Sequence, residues 1–202
     1  MIRSSSMIHL ILKTICQYKW NSDFAHIYDN QKKYSEAASE WQKALQLSPN
    51  DTQIKKELAV SLKLDENYSQ ALPLFQELLQ QQPNSAELNY LLGDTLLDLQ
   101  RPVDAIPLLK HAATRDPKSL AVQKALARSE IATGKTLDAI PHLKVALASD
   151  EDGTLHYQLA QAYRATGQIE LANKMLKEYQ SLQRSAAAQA EAARQDTEIT
   201  PP

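Results

Sequence analysis

Gly134-Lys135-Thr136 has the three residues that close a phosphate-binding loop. Such a loop works by aiming backbone N–H groups at phosphates from a strand–helix junction. Here the glycine required five residues earlier is Ser129, and no strand pattern precedes it. Five histidines, His9, His26, His111, His142 and His156, are candidate bases or metal ligands. His26 with Asp29, and Asp152 with His156, form pairs without a third ligand nearby, short of what zinc needs. The single cysteine, Cys16, rules out an internal disulfide framework and a cysteine-rich zinc site. No Gly-x-Ser-x-Gly turn occurs, and no two carboxylates are set apart as a catalytic pair. The expectation is a protein that is not an enzyme and takes no cofactor and no metal.

The residues that remain are basic and aromatic, and they fall in rows. Lys56, Val60 and Lys63 stand at offsets of four and seven, which places them on one face of a helix. Equivalent rows are Ser22, His26, Asp29; Tyr90, Asp94, Leu97; Lys124, Arg128, Ile131; and Tyr157, Gln161, Arg164. Together they carry Lys56, Lys63, Lys124, Arg128 and Arg164 against Asp29 and Asp94, a net positive face on a chain of net charge −2. Tyr90 and Tyr157 add flat amphipathic surface of the kind that binding sites favour. The chemistry expected of these rows is recognition of an extended or helical peptide of acidic character, with ordinary solvated side chains as the competing account.

The elements that hold the rows repeat. Pro49, Pro83 and Pro117 are 34 residues apart, and Ala37, Ala71, Ala105 and Ala139 keep the same step before Ala172 follows after 33. Phe24, Leu58, Leu92, Leu126 and Leu159 form a second column, with Ala25, Ala59, Gly93, Ala127 and Ala160 directly behind it. Trp41, Phe75, Leu109, Leu143 and Leu176 form a bulky one. Each period reads as two helices. Leu58 and Leu62 mark one face of the first; Ala71, Phe75, Leu78 and Leu79 stripe the second. The small column lets two backbones approach, and the bulky column fills the volume beside the contact. Polar breaks separate the helices, and Gly134 and Gly167 suit C-terminal positions where φ turns positive. Pro73, Pro107 and Pro141 fall inside the second helices, which are expected to start near Tyr68, Pro102 and Thr136 so that the prolines sit close to the first turn. Starts further upstream predict a missing bond and a slight bend at each proline.

On these columns the chain resembles the tetratricopeptide repeat family. The unit with Phe24-Ala25, Tyr28, Tyr34, Ala37, Trp41, Ala44 and Pro49 and the unit with Leu159-Ala160, Tyr163, Gly167 and Ala172 match its pattern well. The resemblance implies an all-α solenoid of about five stacked helix-turn-helix units forming a right-handed superhelix, with the first helices lining a concave groove. It places the rows above on the groove wall, and makes Lys56, Lys63, Tyr90, Asp94, Lys124, Arg128, Tyr157, Gln161 and Arg164 the candidate peptide-binding residues. The units are 18–51, 52–85, 86–119, 120–152 and 153–180. The array departs from the pattern at Pro102, Thr136 and Glu130, and its fourth unit lacks a closing proline. Glu130 faces the buried side by register, where a carboxylate finds a base, reaches an edge, or marks a switch; a structural pairing is the expectation. The Lys, Asn and Arg set with which some family members clamp chaperone carboxylate ends is not matched.

Residues 1–17 fit no unit and read as a helical cap or a truncated repeat in preference to a targeting segment. Residues 181–202 read as an extension of the last helix, fraying from Gln195 onward. The charge balance, with a pI near 6.2, argues against nucleic acid as the partner. No apolar run reaches 18 residues, so no transmembrane helix is expected. The leading reading is a scaffold that binds a protein or peptide, in the cytoplasm in preference to the periplasm or outside the cell. Competing readings are a regulatory region of a larger enzyme, and a structural protein that self-associates through terminal repeats at residues such as Tyr179 and Leu182. Partner identity, compartment, organism and oligomeric state are not written in the sequence.

Overall fold

The structure is a computed structural model that describes residues 17–198, less the side chains of residues 149 and 195–198. Among the described residues all regular structure is helical: α1 (17–30), α2 (Tyr34–Leu47), α3 (Thr52–Leu64), α4 (Tyr68–Gln81), α5 (Ala86–Asp98), α6 (Pro102–Arg115), α7 (Leu120–Ala132), α8 (Thr136–Ala146) with a 3-10 turn at Leu147–Ser149, α9 (Thr154–Ala165) and α10 (Ile169–Glu198). The chain divides into two compact units between Arg101 and Pro102. In unit 1, α3 packs between α2 and α4, and α4 packs on α5. In unit 2, α7 packs between α6 and α8, and α9 between α8 and α10. Successive helices are therefore spatial neighbours within each unit, as a helical repeat requires.

Local chemistry sets the boundaries. The odd-numbered helices start at capped residues one period apart. Asp51 accepts from the N–H groups of Gln53 (2.9 Å) and Ile54 (3.1 Å), Ser85 from Leu88 (3.2 Å), and Ser119 from Val122 (3.5 Å). Each cap answers donors that the first turn leaves without carbonyl partners. The unit that lacks a closing proline does this differently: Asp150 accepts from the N–H groups of Leu155 (3.0 Å) and His156 (2.8 Å), and Asp152 from that of Thr154 (2.9 Å). Gly153 beside them has φ +79°, and a Cβ there would lie 2.7 Å from Cδ2 of Tyr179. Both the backbone and the space thus demand glycine.

The odd-numbered helices end alike. Lys33, Asn67, Arg101, Lys135 and Gln168 donate their N–H groups to the carbonyls of Tyr28, Leu62, Leu96, Glu130 and Tyr163, at 2.7–2.9 Å. The residue before each donor has positive φ: Lys32, Glu66, Gln100, Gly134 and Gly167. This is the Schellman closure, repeated once per period.

The even-numbered helices α4, α6 and α8 start at Tyr68, Pro102 and Thr136, the positions expected. Pro73, Pro107 and Pro141 are the sixth residue of each, however, in the second turn and not the first. The carbonyls four residues earlier, of Ser69, Val103 and Leu137, lose an intrahelical donor there, and all three residues are exposed, which leaves the lost bond cheap to replace by solvent.

The core follows the columns. Ala25, Ala59, Ala127 and Ala160 are buried, as are the bulky residues Trp41, Phe75, Leu109 and Leu143 and the leucines Leu58, Leu92, Leu126 and Leu159. Each buried leucine contributes roughly 1.5–3 kcal/mol by leaving water. A polar column is buried with them. Asn89 donates to the carbonyls of Pro83 (3.1 Å) and Ser85 (2.8 Å), and Gln123 donates to that of Pro117 (2.8 Å). These amides tie each helix to the loop that closes the preceding hairpin.

The helix α10 continues to Glu198, past the fraying expected from Gln195, and its alanines from 186 to 193 are exposed. The cap or truncated repeat expected at residues 1–17 lies, apart from Gln17, outside the described residues, as does Cys16. Tyr179 and Leu182, candidates for self-association, pack at Gly153, and Gln183 donates to the Asp152 carbonyl at 2.7 Å. No helix among the described residues is long and apolar enough to cross a membrane.

Candidate functional site

The rows fare differently in the two units. In unit 1 the cations are answered internally. Lys56 of α3 lies 3.0 Å from Glu87 of α5. Lys63 lies 2.8 Å from Asp94 and 3.2 Å from Asp98, and all three side chains are largely buried. Burial works to lower the Lys63 pKa, but the two carboxylates outweigh it and hold the ammonium above its ordinary value. Asp29 is also committed: it accepts from the Trp41 indole (2.9 Å) and the Ser61 hydroxyl (2.8 Å), joining α1, α2 and α3. His26 stands edge-on to Trp41 with ring centroids 4.7 Å apart. Tyr90 is half-buried. A cavity of about 410 Å³ in this unit is lined by Gln76, Leu79, Gln80 and Leu92, none of them a row residue. The positive wall expected here is neutralised by the chain itself.

In unit 2 the same register presents Lys124, Arg128 and Ile131 on α7, and Tyr157, Gln161 and Arg164 on α9. Lys124 is half-buried and the others are exposed. Lys124 and Arg164 form no ion pair among the described residues. A cavity of about 300 Å³ opens between these helices and α8, lined by Ile131, Thr136, Tyr157, Gln158, Gln161, Ala162 and Ala165. Two of the candidate residues, Tyr157 and Gln161, therefore wall a cavity, and the α7 row runs into it at Ile131. The Tyr157 ring is backed by that of Tyr179, centroids 5.5 Å apart. Thr136, Gln158, Ala162 and Ala165 are lining residues that the row pattern alone did not select. Glu87 and Asp98 were missed as partners of Lys56 and Lys63, although separations of 31 and 35 residues, close to one period, mark them as neighbours on adjoining odd-numbered helices.

Glu130 is fully buried in unit 2, and neither carboxyl oxygen has a hydrogen-bond partner. Lys110 Nζ and His142 Nε2 each stand 3.6 Å away, beyond hydrogen-bond contact. Gln123 fixes the imidazole, its Oε1 accepting from His142 Nδ1 at 2.6 Å. Burial raises the Glu130 pKa, with Lys110 opposing and Asp138 reinforcing. Burial, aided by Lys110, lowers that of His142. Both directions favour a neutral acid beside a neutral imidazole.

Comparison with known proteins bears on these columns directly. A tetratricopeptide repeat family model matches residues 62–129 and again 96–155, and a second matches 23–51 and 153–190. No curated protein matches the sequence. Among solved structures, MamA from MSR-1 is similar with a TM-score of 0.72 and 21% identity, covering 84% of this chain and 98% of MamA. MamA residues 41-end from Desulfovibrio magneticus RS-1 gives 0.75 at 18% identity, covering 84% and 96%. YrrB, described as a TPR protein with an unusual peptide-binding site, gives 0.67 at 19%, covering 86% and 90%. At these identities the structural likeness speaks to the fold. Matched columns, alternating helices and family models agree: the chain belongs to the tetratricopeptide repeat family.

Proposed function

We infer that the chain works as a protein-interaction scaffold, as its repeats suggest. We propose that its binding surface is the unit 2 wall, and that its ligand is a peptide segment with acidic residues around one apolar side chain. The observation that carries this reading is the cavity bounded by Ile131, Tyr157 and Gln161, on the rows that also hold Lys124, Arg128 and Arg164. An apolar side chain fills the cavity and loses its contact with water, and the cations attract the flanking carboxylates. The likeness to YrrB supports a peptide as the ligand class. Lys56, Lys63, Tyr90 and Asp94 have a lesser share, because the two lysines already face carboxylates.

Fluorescence anisotropy with a labelled ten-residue peptide, one Leu set among Asp and Glu, tests the proposal against the same peptide with Lys in place of the acids. The acidic peptide binds more tightly, and Lys124→Ala with Arg128→Ala weakens it by roughly tenfold at low salt and flattens its salt dependence. Equal binding of the two peptides, or indifference to the double substitution, overturns it.

A further inference from the structure

The first and last helices are finished differently on their outer faces. On α10, Asn173 and Gln180 are exposed and polar. They occupy the register of Ile140 on α8, a member of the apolar cluster that contains Leu155, Leu159 and Ala162 of α9, and of Leu147 in the 3-10 turn, which packs against that cluster. An even-numbered helix thus covers the odd-numbered helix that follows it, and α10 has polar side chains where such cover would be given. A polar outer face closes an array without further cover.

The outer face of α1 is the opposite. Trp20, Phe24 and Ile27 stand at offsets of four and seven and are 65%, 42% and 48% exposed, with the two aromatic rings 5.5 Å apart. The same register positions are buried in later helices: Ile54, Leu58 and Ser61 in α3, and Leu155, Leu159 and Ala162 in α9. There the preceding even-numbered helix covers them. A contiguous aromatic stripe left in water forgoes about 25 cal/mol for each Å² it fails to bury.

Sixteen residues of sequence precede the described ones. Moved forward by one period, Met7, Leu10 and Ile11 fall on Trp41, Ala44 and Leu45, all residues of α2. We propose that the Trp20, Phe24 and Ile27 stripe is the seat of the chain's own apolar Met7–Leu12 segment. Head-to-tail stacking on another copy is the less favoured alternative, because the α10 face that would meet the stripe sets Asn173 and Gln180 beside exposed Ile169. The seat is independent of the peptide-binding rows, and its failure leaves them untouched.

The full chain labelled with 5-fluorotryptophan gives two ¹⁹F signals, Trp20 and the buried Trp41, assigned with Trp20→Phe. The Trp20 signal is expected to show little solvent-isotope shift, and Leu10→Asp with Ile11→Asp is expected to restore the full shift while Trp41 is unmoved. A Trp20 signal fully exposed in the unaltered chain overturns the proposal. So does protection that survives the double substitution, and so does protection lost on dilution, which assigns the stripe to a second copy.

Discussion

Lys63 and Arg164 occupy the same register position, as do Lys56 and Lys124, yet the pairs live in different surroundings. In unit 1 both lysines are met by carboxylates from the next odd-numbered helix. In unit 2, Lys124 and Arg164 make no such pair among the described residues, and a cavity lies beside their rows. Repetition of a backbone thus does not repeat its electrostatics: in unit 1 the lysines of the wall are held by carboxylates of the adjoining helix, and in unit 2 Lys124 and Arg164 have no such pair among the described residues.

The sharpest way to break this contrast is to remove the cation on each side. Lys63→Met takes from two largely buried carboxylates the cation they share, and is expected to lower unfolding free energy by about 2 kcal/mol in urea denaturation. Arg164→Met, on an exposed side chain, is expected to stay within roughly 0.5 kcal/mol. A raised folded pKa means that the Lys63 contribution is full below the unfolded value of 10.5 and is lost as pH rises through the folded one. The difference between the native chain and Lys63→Met is therefore flat from pH 6 to 9 and narrows in stronger alkali. Equal losses at Lys63 and Arg164 would dissolve the distinction between the two walls.

Glu130 offers the next contrast, since unit 1 has Leu62 and Leu96 at its position. Glu130→Leu is expected to stabilise the chain by ~1–2 kcal/mol at pH 7, since it removes a buried carboxyl without hydrogen bonds while Lys110, half-exposed, turns to water. The pH dependence has two opposed parts. With its folded pKa raised, Glu130 adds stability that is full below the unfolded value of 4.5 and lost as pH rises through the folded one. With its folded pKa lowered, His142 adds stability present above 6.5 and lost as pH falls through the folded value. Lys110, Lys135 and Asp138 also bear on Glu130. The melting-temperature gap between Glu130→Gln and the native chain should widen from pH 5 to pH 8. A gap that shrinks over that range would mean the carboxyl is ionised and well partnered.

Much of this architecture was legible from the columns, because steric demands at a helix–helix contact recur with the helices. The small residues from Ala25 to Ala160, the bulky run from Trp41 to Leu143 and the helix starts at Tyr68, Pro102 and Thr136 all lie where the period puts them. Interactions that depend on atomic reach were less legible. The row pattern put Lys56 and Lys63 on a wall, but the carboxylates that meet them become visible only when adjoining helices are aligned. Asn89 and Gln123 look like surface amides until the carbonyls of Pro83 and Pro117 are found beneath them. Pro73, Pro107 and Pro141 are expected close to the first turn and lie in the second, where they are tolerated because the first-turn residues whose carbonyls lose a donor are exposed, and sequence does not report that exposure.

The smallest effect, and the finest contrast, concerns the residues of positive φ. Unit 2 uses Gly134 and Gly167; unit 1 puts Lys32, Glu66 and Gln100 in the same conformation. An L-residue there crowds its Cβ against the following carbonyl, at about 1 kcal/mol. Glycine avoids this, but its unfolded chain has more freedom to lose. Glu66→Gly should therefore raise unfolding free energy by about 0.5 kcal/mol, provided the Asn67 to Leu62 closure at 2.8 Å is kept. Gly134→Ala meets nothing within 4 Å, so any loss is backbone strain alone, about 1 kcal/mol. Thermal unfolding of the two variants gives the signs. Opposite signs mean that both units obey one backbone rule with different residues. A loss at both positions would mean that the Glu66 side chain holds its turn by contacts worth more than the strain, and that the two units close their odd-numbered helices by different means.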